Sequence, residues 1–284
     1  MNASPLPALR LLLIGDVVGR AGRAAIGAHV PKLREAWALD FVVVNGENAA
    51  GGFGITEAIC EEFFAAGVDC ITLGNHAFDQ REALTYIARE PRLLRPLNYP
   101  AGVPGLGANL FAARDRRRIR VVNLQGRVFM EQLDDPFAAI ARELDACRLG
   151  RDADAIVIDM HAETTSEKMA MAHFLDGRVS LVAGTHTHAP TADDQIFTGG
   201  TGYISDVGMT GDYDSVIGMQ KDEPIRRFTQ KTPGARYEPA SNEATLCGVA
   251  TEIGPVGRAE KIAPVRIGGR LSQARPGFWE SRPQ

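Results

Sequence analysis

The sequence predicts an α/β fold of mixed β-sheets flanked by helices, and three observations point to it. Short β-branched or apolar runs alternate with stretches of helical apolar spacing over residues 9–188. After about residue 193 the pattern shifts to short runs separated by glycine, ending in what looks like an antiparallel pair. At 284 residues, 45% apolar and 23% charged, the chain can bury a sizeable core and is ordinary in make-up.

The elements follow in order. "LRLLLIGD" (9–16) reads as the first strand, and a Gly/Arg-rich segment leads into a helix through Trp37. "DFVVVNGEN" (40–48) is the second strand, "TEAICEEFFAAG" (56–67) a helix and "VDCITLGNH" (68–76) the third strand. A helix over 79–91 stops at Pro91. Strand–helix–strand at this spacing predicts right-handed βαβ units. Strands are then expected at 120–128, 153–163 and 179–188, with helices at 135–150, starting near Pro136, and at 166–177. "TGYISDVG" is a short strand among glycines, and "TLCGVATEIG" and "RAEKIAPVRIGG" form the closing pair. No repeat or linker divides the chain. One domain is expected over 1–284, with an ordered core over about 9–267 and a loosely held tail in the last dozen residues.

A net charge of −4 argues against a general nucleic-acid or membrane surface. The basic run "ARDRRRIR" (113–120) reads as a solvated patch edging a strand. No run approaches the roughly 20 apolar residues of a membrane span. The N-terminus has no basic leader and reads as a strand. Cys60, Cys70, Cys147 and Cys247 lie among apolar neighbours with no CxxC spacing, as reduced thiols of a cytoplasmic protein do.

In open α/β sheets ligands bind beyond the carboxyl ends of the strands. Here those ends carry Asp16; then Asn45, Glu47 and Asn48; then Asn75 and His76; then His161 and Glu163; then His186 and His188. Singly, each has a bland role: the Asp a cap, the Asn a turn, the His a hydrogen-bonded core residue. Five strand ends at one end of a sheet, holding four of the six histidines, are hard to explain as independent caps. His29 and His173 lie in helix-like stretches and are assigned no chemistry. Imidazole, carboxylate and amide donors without thiolate suit iron, manganese, zinc or cobalt. The donors exceed the about four of a tetrahedral zinc. They suit two ions about 3.5–4 Å apart that clamp an in-line displacement at phosphorus. Glu47, with two oxygens, is the natural bridge.

"GD" at 15–16, "GEN" at 46–48, "GNHAFD" at 74–79, the histidine at 161 and "GTHTH" at 184–188 resemble the ordered blocks of the calcineurin-like metallophosphoesterases. "IGDVVGRAGR", "VVNGENAAGGFGIT", "HAETTSEKMA" and "YISDVGMTGDYDSVIG" resemble more closely the YmdB branch of that superfamily, over nearly the whole chain to about residue 267. The resemblance implies a metallophosphoesterase sandwich with a dinuclear site. Asp16 is followed by two valines, so the superfamily's first-block histidine is absent and Val18 stands there; Glu47 replaces the usual aspartate. The resemblance implies that Asn48 supplies the missing donor. It assigns Asp16, Glu47, Asn48 and His188 to one ion, and Glu47, Asn75, His161 and His186 to the other. It leaves His76 free of metal, as the acid that protonates the leaving oxygen after attack by a metal-bridging hydroxide. Asp79 could orient His76 or cap a helix. The glycine-rich "GGFGIT" (51–56) and "GMTG" (208–211) would border the pocket or simply turn the chain.

The expected activity is phosphodiester hydrolysis, with 2′,3′-cyclic nucleotides among the substrates and a di-iron or related centre, Mn, Zn or Co being alternatives. Two other readings remain: a regulatory or scaffold protein that keeps the metal site, and a metal-dependent phosphomonoesterase or nucleotidase. The partner implied is a small phosphodiester, not nucleic acid or membrane; homo-oligomerisation stays open.

Overall fold

The computed structural model describes residues 7–232 and 234–279. The first half builds β1 (Leu9–Ile14), α1 (Gly19–Ala36), β2 (Phe41–Asn45), α2 (Glu57–Ala65), β3 (Cys70–Thr72), α3 (Ala83–Tyr86) and β4 (Leu93–Leu94). The middle builds β5 (Ala108–Ala112), β6 (Arg118–Gln125), α4 (Pro136–Ala146), β7 (Ala155–His161), α5 (Thr165–Leu175) and β8 (Leu181–Thr185). Then come β9 (Gln195–Ile196), β10 (Gly202–Ile204), α6 (Asp222–Gln230), β11 (Leu246–Ile253) and β12 (Ala259–Ile267).

These strands form two mixed six-stranded sheets, ordered β12-β11-β1-β2-β3-β4 and β5-β6-β7-β8-β10-β9. β1 to β4 run parallel, as the βαβ pattern requires. β11 and β12 close the first sheet as the expected antiparallel pair, β11 lying against β1. The period of two along each strand sorts the side chains into layers. Leu9, Leu11, Leu13, Phe41 and Val43 meet Val121, Val157 and Leu181 between the two sheets. The alternate residues Leu12, Ile14, Val42 and Val44 meet Ile26 and Phe63 of α1 and α2. Ile156, Ile158 and Met160 likewise meet Ile140, Leu144 and Met171 of α4 and α5. Local caps agree: Thr56 Oγ1 accepts the Ile59 N–H, and Asp135 caps α4 ahead of Pro136.

Several expectations need correction. The strand ends lie at one end of two sheets, not one, because β7 and β8 belong to the second sheet. The helix expected over 79–91 is α-helical only at Ala83–Tyr86. Tighter i→i+3 bonds flank it, and Glu90 turns to hold the Arg92 N–H and guanidinium. The tail expected to be loose is tied down as far as Trp279. That ring is 5% exposed, lies 5.7 Å from Trp37, and its Nε1–H donates to Glu252 at 2.9 Å. The rest of the expected tail, 280–284, lies outside the described residues. Helix α6 has no counterpart among the expected elements, since its large apolar residues Ile225 and Phe228 are exposed and only Pro224 is buried.

The basic run turns between β5 and β6, where exposed Arg118 pairs with Asp154, while Arg117, its side chain only 11% exposed, is drawn in to Asp115 and Asp40 instead of standing in solvent. Among the described residues no helix is long and apolar enough to cross a membrane.

Candidate metal centre

The carboxyl ends of β1, β2 and β3 meet those of β7 and β8 at one point. β7 shows why. Ala155 and Val157 face the inter-sheet core, so the same face carries Asp159 and His161 two and four residues on. His161 is fully buried, with Nε2 3.1 Å from Glu47 Oε1, 3.0 Å from Asn75 Oδ1 and 3.1 Å from His186 Nδ1. Glu47, His161 and His186 offer donor atoms all within 4.8 Å of one another. Beside them lie Asp16, Asn48 and His188: His188 Nε2 is 3.3 Å from Asn48 Oδ1 and 4.0 Å from Asp16 Oδ1. The seven expected donors therefore lie around one point, with the His186 N–H donating to Asp16 Oδ2 at 3.1 Å between the two groups.

Hydrogen bonds fix which atoms point inward. The Thr185 hydroxyl gives its proton to Asp159 Oδ1 at 2.7 Å, so toward His161 Nδ1, 2.9 Å away, it can only accept. Nδ1 thus carries hydrogen and Nε2 faces the cluster. His188 Nδ1 donates to the Ile217 carbonyl at 2.8 Å, with the same result. Asn48 Nδ2 donates to the Gly52 carbonyl at 3.1 Å, which turns Oδ1 toward His188. In the neutral imidazole the lone pairs of His188 Nε2 and Asn48 Oδ1 therefore face each other. The Asp16 Oδ1 atom is buried with no hydrogen-bond partner among the described residues. Facing acceptors and an orphaned carboxylate oxygen are what a cation satisfies. The residues present fit a metal.

The electrostatics agree. Burial alone would raise Glu47, but the charge of His161 and the bond to it hold Glu47 down at about 2. Burial would lower His161, yet Glu47 keeps it up at about 9, so Glu47 holds a positive charge against itself. Burial, then the charge of His161, pushes His186 down to about 3. Burial raises Asp16 to about 6.

The surroundings are built tightly. Gly74 has no alternative, because a Cβ there would lie 2.3 Å from His161 Nε2 and 2.4 Å from Glu47 Oε2. His186 and His188 both adopt left-handed backbone, φ 98° and 65°. Thr187 between them turns away, its N–H and hydroxyl both bonding Asp206, which pairs with buried Lys168 at 2.8 Å. Asn45 does not join the donors. Its amide donates to Asp159 and its Oδ1 accepts the Glu47 N–H. Glu163 touches only the outer face of the cluster, 3.2 Å from His186 Nε2. Val18, at the missing histidine's place, is buried beside Gly218 and Gly211.

His76 stands apart. Its N–H donates to Glu47 Oε2 at 3.0 Å, and its Nδ1 lies 2.8 Å from Asp79 Oδ2, so Asp79 orients the ring instead of capping a helix. The ring lines a cavity of about 240 Å³ that also touches Glu47, Asn48, His186 and His188. Gly52 and Phe53 border it, as expected for "GGFGIT". The "GMTG" stretch does not: Thr210 is buried and bridges Val17. His173 stacks on Phe197, away from the site.

Asp159, Thr185, Lys168 and Asp206 escaped the sequence reading. A charge on the inward face of an otherwise apolar strand, as at Asp159, was a usable signal. Lys168 offered none, since its helix gives no hint that position 168 is buried.

A family model described as YmdB-like protein matches residues 12–265. The chain belongs to the YmdB-like family. Among its relatives, a 2′,3′-cyclic-nucleotide 2′-phosphodiesterase of Bacillus subtilis (strain 168) is 46% identical over 86% of this chain and 91% of its own. Two solved structures agree with the YmdB-like fold. A hypothetical protein from Thermus thermophilus has a TM-score of 0.85 at 40% identity, covering 92% of this chain and all of that one. A novel phosphatase from Mycoplasma pneumoniae has a TM-score of 0.85 at 33% identity, covering 97% of each. A sulfate thiohydrolase, SoxB, from Thermus thermophilus has a TM-score of 0.54 at 13% identity, a likeness of fold alone, covering 94% of this chain and 58% of that one.

Proposed function

We propose that this YmdB-like protein is a dinuclear metal-dependent phosphodiesterase that hydrolyses 2′,3′-cyclic nucleotides, with iron as the leading metal and manganese, zinc or cobalt as alternatives. The carrying observation is the convergence of Glu47, His161 and His186 at the wall of an open cavity that also holds His76. The Bacillus relative's substrate supports the choice of diester. Asp16, Glu47, Asn48 and His188 would hold one ion, and Glu47, Asn75, His161 and His186 the other. Such ions supply Lewis-acid charge at phosphoryl oxygens and make a nearby water acidic.

The chain's own residues do the rest. Glu47 would offer its carboxylate to both ions; its Oε1 lies 3.1 Å from His161 Nε2 and its Oε2 fixes the His76 backbone. Asp79 occupies His76 Nδ1, so Nε2 is the nitrogen that delivers a proton to the departing ribose oxygen. Asp159, through Thr185, keeps His161 in the tautomer a ligand needs. The whole chain acts as one domain in this reading, and its four buried free cysteines support a cytoplasmic setting.

The test is turnover of 2′,3′-cyclic AMP, bis-p-nitrophenyl phosphate and p-nitrophenyl phosphate by manganese-loaded protein. Diester hydrolysis that is lost in a Glu47 variant supports the proposal. Monoester turnover alone would favour a nucleotidase, and no turnover a scaffold role.

A further inference from the structure

Beyond His76 the cavity changes character. Its remaining side-chain walls are apolar or aromatic, including Phe53, Ile217, Met219, Phe228 and Tyr237. Among the described residues lining this side, none has a charged or carboxamide side chain. The Phe53 ring meets His76 edge-on at 5.2 Å. Tyr237 is held from behind by the Arg227 guanidinium, 4.0 Å from its ring centroid. Phe228 projects from α6 with 80% of its surface exposed.

This wall is continuous with the donor set. Val216 and Met219 close a turn by exchanging backbone hydrogen bonds of 2.9 and 3.0 Å. At its tip the Ile217 carbonyl anchors His188 Nδ1. Ala240 N–H donates to the Gly218 carbonyl at 2.8 Å, tying the turn to the segment after α6. One piece of backbone therefore orients a metal-ligand candidate and presents the apolar wall.

We propose that Phe53, Met219, Phe228 and Tyr237 form a subsite for the planar base of a nucleotide, one that takes purines and pyrimidines alike. The proposal rests on the phosphodiesterase reading above. With phosphorus at the donor set and the leaving ribose oxygen at His76, the ribose carries its base past His76 onto Phe53 and Phe228. Aromatic faces hold any base by stacking, whereas telling bases apart needs hydrogen-bonding groups, and this wall offers few. A cyclic diester without a base would reach the donors and leave the wall uncovered.

The experiment compares kcat/KM of manganese-loaded protein for 2′,3′-cyclic AMP, 2′,3′-cyclic CMP and glycerol 1,2-cyclic phosphate, a baseless ring of the same kind. Wild-type protein, Phe228→Ala and Phe228→Trp are measured. The exposure of Phe228 means that both variants should fold. The wild type should prefer both nucleotides over the baseless diester, and treat the two within about threefold of each other. Phe228→Ala should shrink that preference by about 5- to 150-fold, mainly through KM, and Phe228→Trp should keep it. Calorimetric binding of adenosine 3′-monophosphate should weaken in Phe228→Ala by a similar factor, with no turnover needed. Equal efficiency of the wild type on baseless and nucleotide diesters, or an equal loss on both in Phe228→Ala, would overturn the subsite. So would a strong choice between adenine and cytosine. Phe228-dependent binding of the monophosphate with no diester hydrolysis would support the subsite and count against the phosphodiesterase reading.

Discussion

The Thr185 hydroxyl lies 2.9 Å from His161 Nδ1, and its own proton goes to Asp159 Oδ1 at 2.7 Å. Thr72 and Asn45 hold the other oxygen of Asp159. One buried carboxylate from the middle of β7 thus sets the ring that ends the same strand. Thr185→Val keeps the shape and removes the relay. Metal affinity should fall about 10- to 100-fold, the usual cost of losing an orienting partner. Metal titration of the purified variant checks it, and unchanged affinity would mean that packing alone holds His161.

Lys168 and Asp206 form an ion pair whose side chains are 1% and 2% exposed. Asp206 also holds Thr187, and with it the left-handed turn that carries His186 and His188. Lys168→Met leaves a buried carboxylate without its counter-charge, which should destabilise the fold by about 3–5 kcal/mol. Chemical denaturation measures this. Adding Asp206→Asn, which removes the charge but keeps an acceptor for Thr187, should recover part of the loss, and no recovery would show that the uncompensated charge is not the cause.

His76 is oriented by Asp79 and lines the cavity without joining the donor cluster. His76→Ala should therefore keep its metal. It should lose about 10²–10⁴-fold in kcat/KM on 2′,3′-cyclic AMP, whose alkoxide needs a proton to leave. On bis-p-nitrophenyl phosphate, whose phenolate leaves unaided, it should lose less. Equal losses on both substrates would assign His76 to positioning, and lost metal would make it a ligand.

Metal uptake should release protons. Glu47 keeps His161 protonated up to about pH 9, while His186, pushed down to about 3, is already neutral. A ligand must offer its lone pair, so below pH 9 His161 gives up a proton as the cation binds. Apparent affinity should rise between about pH 6 and 9. Calorimetry at about pH 7.5 in buffers of different ionisation heat should find at least about one proton released per chain. No buffer dependence would contradict the charge state assigned to His161.

The sequence made the donors legible because each stands where a run of apolar residues ends, and strand ends in α/β folds converge. It did not show that the ends come from two sheets. Apolar runs report burial but not which sheet a strand joins, and only the pairing of β7 with β6 and with β8 separates them. Trp279 looked like tail because Arg, Pro and Ser surround it, yet the ring fills a place beside Trp37 that local composition cannot reveal. Helix α6 was hidden for the opposite reason. Its apolar residues face the cavity and solvent, so no buried stripe marked it. Lys168 was hidden too, since only the position of Asp206 on another segment explains a lysine with 1% of its side chain exposed.

The central claim is that two ions share Glu47, whose Oε1 lies 3.1 Å from His161 Nε2 while Oε2 accepts the His76 N–H. The direct test is elemental mass spectrometry of wild-type protein and Glu47→Ala, each purified without chelator and loaded alike. Two transition-metal ions per chain in the wild type and none in Glu47→Ala are the predicted result. A single ion in the wild type, or two ions retained without Glu47, would contradict it.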